Sequence, residues 1–210
     1  MSDLDDPRCE VLVLGIGNLL WADEGFGVRC VERLAAEWRV PEGVTVMDGG
    51  TQGLYLLPYV QGAQRLIVFD AIDYGLPPGT MKRVEGDAVP RFMGAKKMSL
   101  HQTGFQEVIA AADLTGQLPN ELLLIGVQPE ELEDYGGSLR DVVKARLDDA
   151  VEMAVAQLRD WGFAVEARES KVGAGETADS GDALAMTSYE AGRPSAEAAS
   201  RIGDDRFMAA

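Results

Sequence analysis

The sequence predicts an α/β domain: a three-layer α/β/α arrangement on a mostly parallel, twisted sheet of about five strands. Two observations carry this. Apolar runs at residues 10–16, 44–47, 65–70 and 121–127 lack the polar alternation of half-exposed strands, as strands buried on both faces do. Between them lie segments with helical apolar spacing, which places crossover helices on the sheet.

Taken in order, Val11-Leu12-Val13-Leu14 forms the first buried strand and runs into Gly15 and Gly17. Val28, Val31, Leu34, Ala35 and Trp38 recur at three- and four-residue spacing, so residues 27–38 read as a helix with one apolar face. Residues 44–47 form the second strand, ended by Asp48-Gly49-Gly50-Thr51. Leu54, Leu57 and Val60 mark a second helix, kept short or distorted by Pro58. The third buried strand, residues 65–70, carries Asp70 at its C-terminal end. Leu76-Pro77-Pro78-Gly79-Thr80 is a turn cluster, and residues 80–84 read as an edge strand. Ser99-Leu100-His101-Gln102-Thr103 leads into a helix through Phe105, Val108, Ile109 and Ala112; Ser99 or Thr103 caps it, and His101 lies in the loop before it. Residues 121–127 form the last buried strand, closed by Gln128-Pro129-Glu130, and Ser138 starts a long helix through Leu158. One domain is expected over residues 1–165. Residues 166–210 mix Gly, Ala, Ser, Asp and Glu without a sustained period, so a tail that is disordered or ordered by a partner is expected there.

The formal net charge of −16 opposes non-specific nucleic-acid binding and attraction to an anionic membrane surface. It suits a cationic or metal-bearing partner, or simply a solvated acidic surface. Cys9 and Cys30 have no Cys-x-x-Cys spacing, so a cysteine-rich zinc site is excluded and both read as thiols of a reducing compartment. The first six residues are acidic, without the apolar core of a signal peptide, and no apolar run reaches the roughly 18 residues of a membrane span. A cytoplasmic protein is expected.

The loop after the first strand is the most informative stretch. Gly15 and Gly17 resemble a dinucleotide-binding turn, yet Asp23 and Glu24 follow where a pyrophosphate would sit, and two carboxylates repel it. The third glycine of that fingerprint is replaced by Leu20, and the turn is too long for a tight phosphate cradle. In open parallel sheets ligands bind beyond the C-terminal ends of strands. Asp23 and Glu24 follow the first strand, Asp48 ends the second, Asp70 ends the third, and His101, the single histidine, lies in the same half of the chain. Carboxylate oxygens and one imidazole suit a borderline divalent metal such as nickel or zinc, with open positions for a substrate group. Each residue also has a plain reading: Asp23 or Glu24 as a helix-start carboxylate, Asp48 as a turn residue, Asp70 as a loop cap, His101 as a structural histidine. A serine or cysteine nucleophile is disfavoured, because neither cysteine sits at a strand end and Gly-x-Ser-x-Gly is absent.

Six segments, taken together, resemble the hydrogenase maturation endopeptidases, which trim the C-terminus of the large subunit of nickel–iron hydrogenases. They are Gly15-Ile16-Gly17-Asn18-Leu19-Leu20 with Asp23-Glu24-Gly25-Phe26-Gly27-Val28-Arg29; Asp48-Gly49-Gly50-Thr51; Phe69-Asp70-Ala71-Ile72; Pro78-Gly79-Thr80; Ser99-Leu100-His101-Gln102-Thr103-Gly104; and Ile125-Gly126-Val127-Gln128-Pro129-Glu130. They occur in the family's order over about residues 10–161, and the tail lies outside the resemblance. The resemblance implies metal contacts at Glu24, Asp70 and His101. It implies substrate recognition and cleavage at Asp48, Gly49, Gly50 and Thr51, in an aspartyl-type endopeptidase; on chemical grounds a carboxylate, Asp48 or Asp23, is the candidate general base. It implies one cut after a basic residue in a precursor already loaded with nickel. The ion is supplied by that large-subunit precursor, and zinc or cadmium could stand in for it in a crystal. The extended length looks more like the processing partners of uptake, membrane-bound hydrogenases, and a monomer meeting its partner transiently is the default. Two other functions remain open: a nickel-sensing maturation chaperone that cuts nothing, and a dinucleotide-binding oxidoreductase.

Overall fold

A computed structural model describes residues 7–94, 100–168 and 186–192. Its centre is a five-stranded sheet in the order β3-β1-β4-β6-β5, built from β1 (Cys9–Ile16), β3 (Val44–Gly50), β4 (Ala63–Ala71), β5 (Met81–Glu85) and β6 (Glu121–Val127). The first four strands in that order run parallel and β5 closes the edge antiparallel to β6, so the expected edge strand is present. A two-residue strand, β2 (Trp38–Arg39), pairs separately with β7 (Glu166–Ala167).

Alternate residues along the parallel strands feed two cores, as the period of two requires. Val11, Val13, Ile67, Phe69, Leu123 and Ile125 face α1 (Phe26–Glu37) and α6 (Leu147–Asp160). Leu12, Leu14, Leu66, Val68, Leu122 and Leu124 face α2 (Leu57–Gly62) and α4 (Leu100–Leu114). Strands covered on both sides read as unbroken apolar runs, which is why the sequence shows them so plainly.

The chain leaves β1 toward β3 on one side, then returns past β1 to β4 on the other. The order therefore reverses between β1 and β4, and the crevice beyond their C-terminal ends is where doubly wound sheets bind ligands.

Three local expectations are corrected and a fourth is met. The helix expected from Ser138 is two pieces, α5 (Asp141–Lys144) and α6. The N–H of Arg140 is committed to Asp23 in the preceding loop, so the chain stays extended until Asp141. His101 lies in the first turn of α4, not in a loop before it, and Thr103 lies inside that helix and not at its cap; Ser99 lies outside the described residues. Asp48 is paired with Gly15 inside β3, because the strand continues through a bulge to Gly50. The second helix opens as a 3-10 turn, Gly53–Leu56, with Pro58 in the first turn of α2, where its missing N–H is harmless. The helix α3 (Ala88–Gly94) follows β5.

Of the segment read as a tail, the described pieces lie on the domain. Arg168 donates its N–H to Glu37 O at 2.8 Å, and its Nε reaches the carbonyls of Ala35 and Trp38 at 3.1 Å. Residues Met186–Gly192 form a last helix, α7. Among the described residues no helix is long and apolar enough to cross a membrane.

Candidate active site

The loop from Gly17 to Gly25 is shaped by backbone contacts. Gly17 has φ +137° and donates its N–H to Gly50 O at 3.0 Å, which ties the ends of β1 and β3 together. A Cβ at Gly17 would collide with the Glu24 carbonyl group. The space that a phosphate would need above this glycine is filled by the chain's own next turn, so the loop is no phosphate cradle. Asn18 Oδ1 accepts the Leu20 N–H at 3.0 Å, and Ala22 is held at φ +37°, an uncommon conformation for a residue with a side chain. The 3-10 turn Ala22–Gly25 then delivers Asp23 and Glu24 just ahead of α1.

Gly27 sets where α1 starts. A Cβ there would lie 2.7 Å from Ile16 N and closer still to the carbonyl oxygens of Ile16 and Phe69. The helix therefore rests its first turn directly on the ends of β1 and β4. Glu24 is three residues before this contact and Asp70 directly follows Phe69, so both belong to the crevice at the topological switch. They are 7% and 1% exposed. Hard or borderline cations take carboxylate oxygens. The donor chemistry at Glu24 and Asp70 is of the kind that divalent cations take. The third expected position, His101, is placed only by its backbone. It lies one turn before Gly104, whose Cβ position would be 3.4 Å from the Gly53 Cα, so α4 packs closely on the turn that follows β3. The His101 side chain is outside the described residues, and among those described no group of three or more His, Cys, Asp or Glu is arranged to hold a metal.

Asp23 has a different part from Glu24. It is fully buried. Its Oδ2 accepts the N–H groups of Glu130 and Glu131 at 2.8 and 2.9 Å, and Oδ1 accepts that of Arg140 at 2.7 Å. Its own N–H donates to Glu131 O at 3.1 Å. This carboxylate clamps the loop after β6 over the loop after β1, reinforced by the bridge between Trp21 and Tyr135, whose rings meet edge-on at 5.3 Å. Asp23→Asn replaces one accepting oxygen with an amide donor facing backbone N–H. We expect it to lower stability by about 3 kcal/mol, read as a shift in the urea midpoint at unchanged slope.

Asp48 is exposed, one strand away from the crevice. Its Oδ1 accepts the Gly50 N–H at 2.8 Å across the bulge. Desolvation where the carboxyl meets the protein raises its pKa, while the Gly50 N–H and the charge of Arg29 pull it back. Gly49 is buried, with a Cβ position 2.7 Å from Ile16 Cδ1, so it serves packing; Gly50 has φ +45°, and Thr51 is exposed beside it.

Three contributors were not singled out from sequence. Gln128 is 6% exposed and accepts the N–H groups of Tyr74 and Leu76 on Oε1 at 2.7 and 3.1 Å, while Nε2 donates to Asp73 Oδ1 at 3.0 Å. One amide thus fixes the loop that leaves Asp70. Tyr74 folds back so that its hydroxyl covers Gly126, the register partner of Asp70. Burial and the Asp70 charge both push the phenol up, and it stays protonated. Arg29 on α1 is 4% exposed and bonds Glu32 Oε2 at 2.8 Å. A Gln-Pro pair closing a buried strand is the one signal that would have flagged Gln128.

The hydrogenase maturation protease family model HycI matches residues 28–157. The hydrogenase expression/formation protein HoxM of Cupriavidus necator is 60% identical over 198 residues, covering 94% of this chain and 98% of HoxM. HupD of Thiocapsa roseopersicina, with a name of the same form, is 58% identical over 207 residues, covering 97% of this chain and 90% of HupD. Matches of that span take in residues 186–192 wherever they begin. Among solved structures, the hydrogenase maturating endopeptidase HybD from Escherichia coli superposes with a TM-score of 0.71 at 39% identity, covering 76% of this chain and 98% of HybD.

Proposed function

The chain belongs to the hydrogenase maturation protease family, and from that premise we propose that it is a nickel-dependent endopeptidase that removes the C-terminal extension of a nickel–iron hydrogenase large-subunit precursor. The observation that supports this most is the pair of buried carboxylates, Glu24 and Asp70, at the switch point of the sheet, with the exposed carboxylate of Asp48 one strand away. In this reading Glu24, Asp70 and His101 meet the nickel that the precursor already carries. The substrate's ion polarises the scissile carbonyl. Asp48 takes a proton from the attacking water, the C–N bond breaks, and the proton passes to the departing amine. Asp23 supports this chemistry by holding the Glu24 loop, since backbone N–H groups occupy both its oxygens. Thr51 and the bulge glycines Gly49 and Gly50 shape the surface where the precursor's C-terminal segment lies. The acidic chain suits a precursor segment with a basic residue at the cut. We assign the precursor to the uptake, membrane-bound class on the chain's extended length, and take the enzyme to act as a cytoplasmic monomer.

The deciding experiment incubates purified precursor with the protein, with and without nickel, and reads the precursor's mass. Loss of a C-terminal peptide only in the nickel-loaded sample supports the proposal. Binding without any mass change would make the protein a chaperone.

Asp48 gives this reading a pH signature. A general base works deprotonated, so cleavage is lost as pH falls through its pKa. Because desolvation raises that pKa, the acid limb of kcat/KM should stand above the ordinary carboxylate range. Asp48→Asn should remove that limb and cost about 10²–10⁴-fold in rate.

A further inference from the structure

The helix α7 is remote in sequence from every site residue, yet its side chains reach the flank of the site. Met186 packs against the core under α1 and α6. The Tyr189 ring centroid lies 6.0 Å from the guanidinium carbon of Arg29. Glu190 accepts from Lys144 Nζ at 2.7 and 2.8 Å and from Ser138 Oγ at 2.8 Å. Between Ser138 and Lys144 lies Arg140, whose N–H closes on Asp23. One short helix thus touches both Arg29 on α1, the helix that the Glu24 turn leads into, and the segment that fixes the Glu24 loop.

We propose that α7 is a positioning element of the cleavage site, bracing the Asp23–Glu24 turn through Arg29 on the helix that follows it and through the Ser138–Lys144 segment that holds Asp23. An arginine side chain has several rotatable bonds, and its direction inside a protein is set by what its planar head meets. Glu32 on its own helix supplies one anion. The aromatic face comes from Tyr189 on α7, and Glu190 beside it ties the same helix to Lys144 and Ser138. An aromatic face over a desolvated guanidinium attracts it through the ring quadrupole and favours one conformer. The proposal rests on the endopeptidase reading and assigns a working part of the site to a stretch far from the strand ends.

The test uses the full chain and compares wild type with Tyr189→Leu, Tyr189→Phe, Arg29→Lys and the Arg29→Lys/Tyr189→Leu pair. Cleavage of nickel-loaded precursor is followed by mass, at a temperature well below each variant's melting point by circular dichroism. Tyr189→Leu should lower kcat about three- to tenfold with KM within about twofold, and Tyr189→Phe, which keeps the ring, should cleave like wild type. In the Arg29→Lys background the same Leu substitution should change kcat by less than about twofold, because the two residues act through one contact. Wild-type kcat in Tyr189→Leu, or a loss that persists in full in the Arg29→Lys background, overturns the proposal. If wild type itself leaves nickel-loaded precursor uncut, the endopeptidase reading falls and the proposal with it. That outcome is distinct from an active wild type insensitive to Tyr189.

Discussion

Gly27→Ala should destabilise the protein by about 3 kcal/mol or more and abolish cleavage in whatever fraction still folds. The added methyl would meet Ile16 N at 2.7 Å and the carbonyl oxygens of Ile16 and Phe69 closer still. All three are backbone atoms of the central strands β1 and β4, which cannot give way as a side-chain tip can. Relief must come from lifting α1, and that costs twice. It opens the core in which Phe26, Cys30, Val31 and Leu34 are buried. It also carries Glu24, three residues upstream, away from Asp70. Gly116→Ala is the control: Gly116 has φ +67° with nothing within 4 Å of its Cβ position, so the substitution should cost only the left-handed backbone penalty of about 1–2 kcal/mol and leave cleavage intact. Urea midpoints at equal slope, with precursor cleavage at a fixed denaturant-free condition, separate the two. Equal midpoints for the two variants would show that α1 does not rest on the strand ends through Gly27.

The sheet was legible because its strands are buried on both faces, and such runs cannot hide in a sequence. The carboxylate crevice was legible for a topological reason: ligands gather beyond parallel strand ends, and Glu24 and Asp70 stand there by counting. Asp23 resisted the same reasoning. Its neighbour in sequence makes it look like half of a pair, while its partners Glu130, Glu131 and Arg140 lie 107, 108 and 117 residues away. No local pattern encodes a contact of that range. Gly27 was hidden in another way. The expectation looked for the third glycine of a dinucleotide turn at position 20, found leucine, and counted it as a departure. Close helix-to-strand packing does have its glycine, seven residues later, because the turn that carries Asp23 and Glu24 is inserted between. The helix α7 was missed because Met186–Gly192 is small and polar in composition, and its order comes from Arg29, Ser138 and Lys144, not from a period of its own.

Glu24→Gln and Asp70→Asn should each abolish processing while leaving the fold in place, with the melting temperature within a few degrees of wild type or above it. The argument runs from burial. At 7% and 1% exposure both carboxylates have left water. A neutral amide of the same shape keeps the packing and is less costly to bury than a charge, so the fold is expected to survive the substitution. The same substitution removes a ligand oxygen and the charge that attracts a cation, and an amide oxygen is the weaker donor. Function and stability are thus expected to move in opposite directions, as they do where a site is built against the preferences of the fold. A purely structural pair would behave otherwise: amides would cost stability, and cleavage would fall only as far as the folded fraction does. His101→Ala extends the test to the third proposed contact and should likewise end processing of nickel-loaded precursor without unfolding the chain. Thermal melts and precursor mass, measured on all three variants with and without nickel, decide the matter. Normal processing by any one of them removes that residue from the proposed metal contacts, and normal processing by all three removes the substrate's nickel from the mechanism.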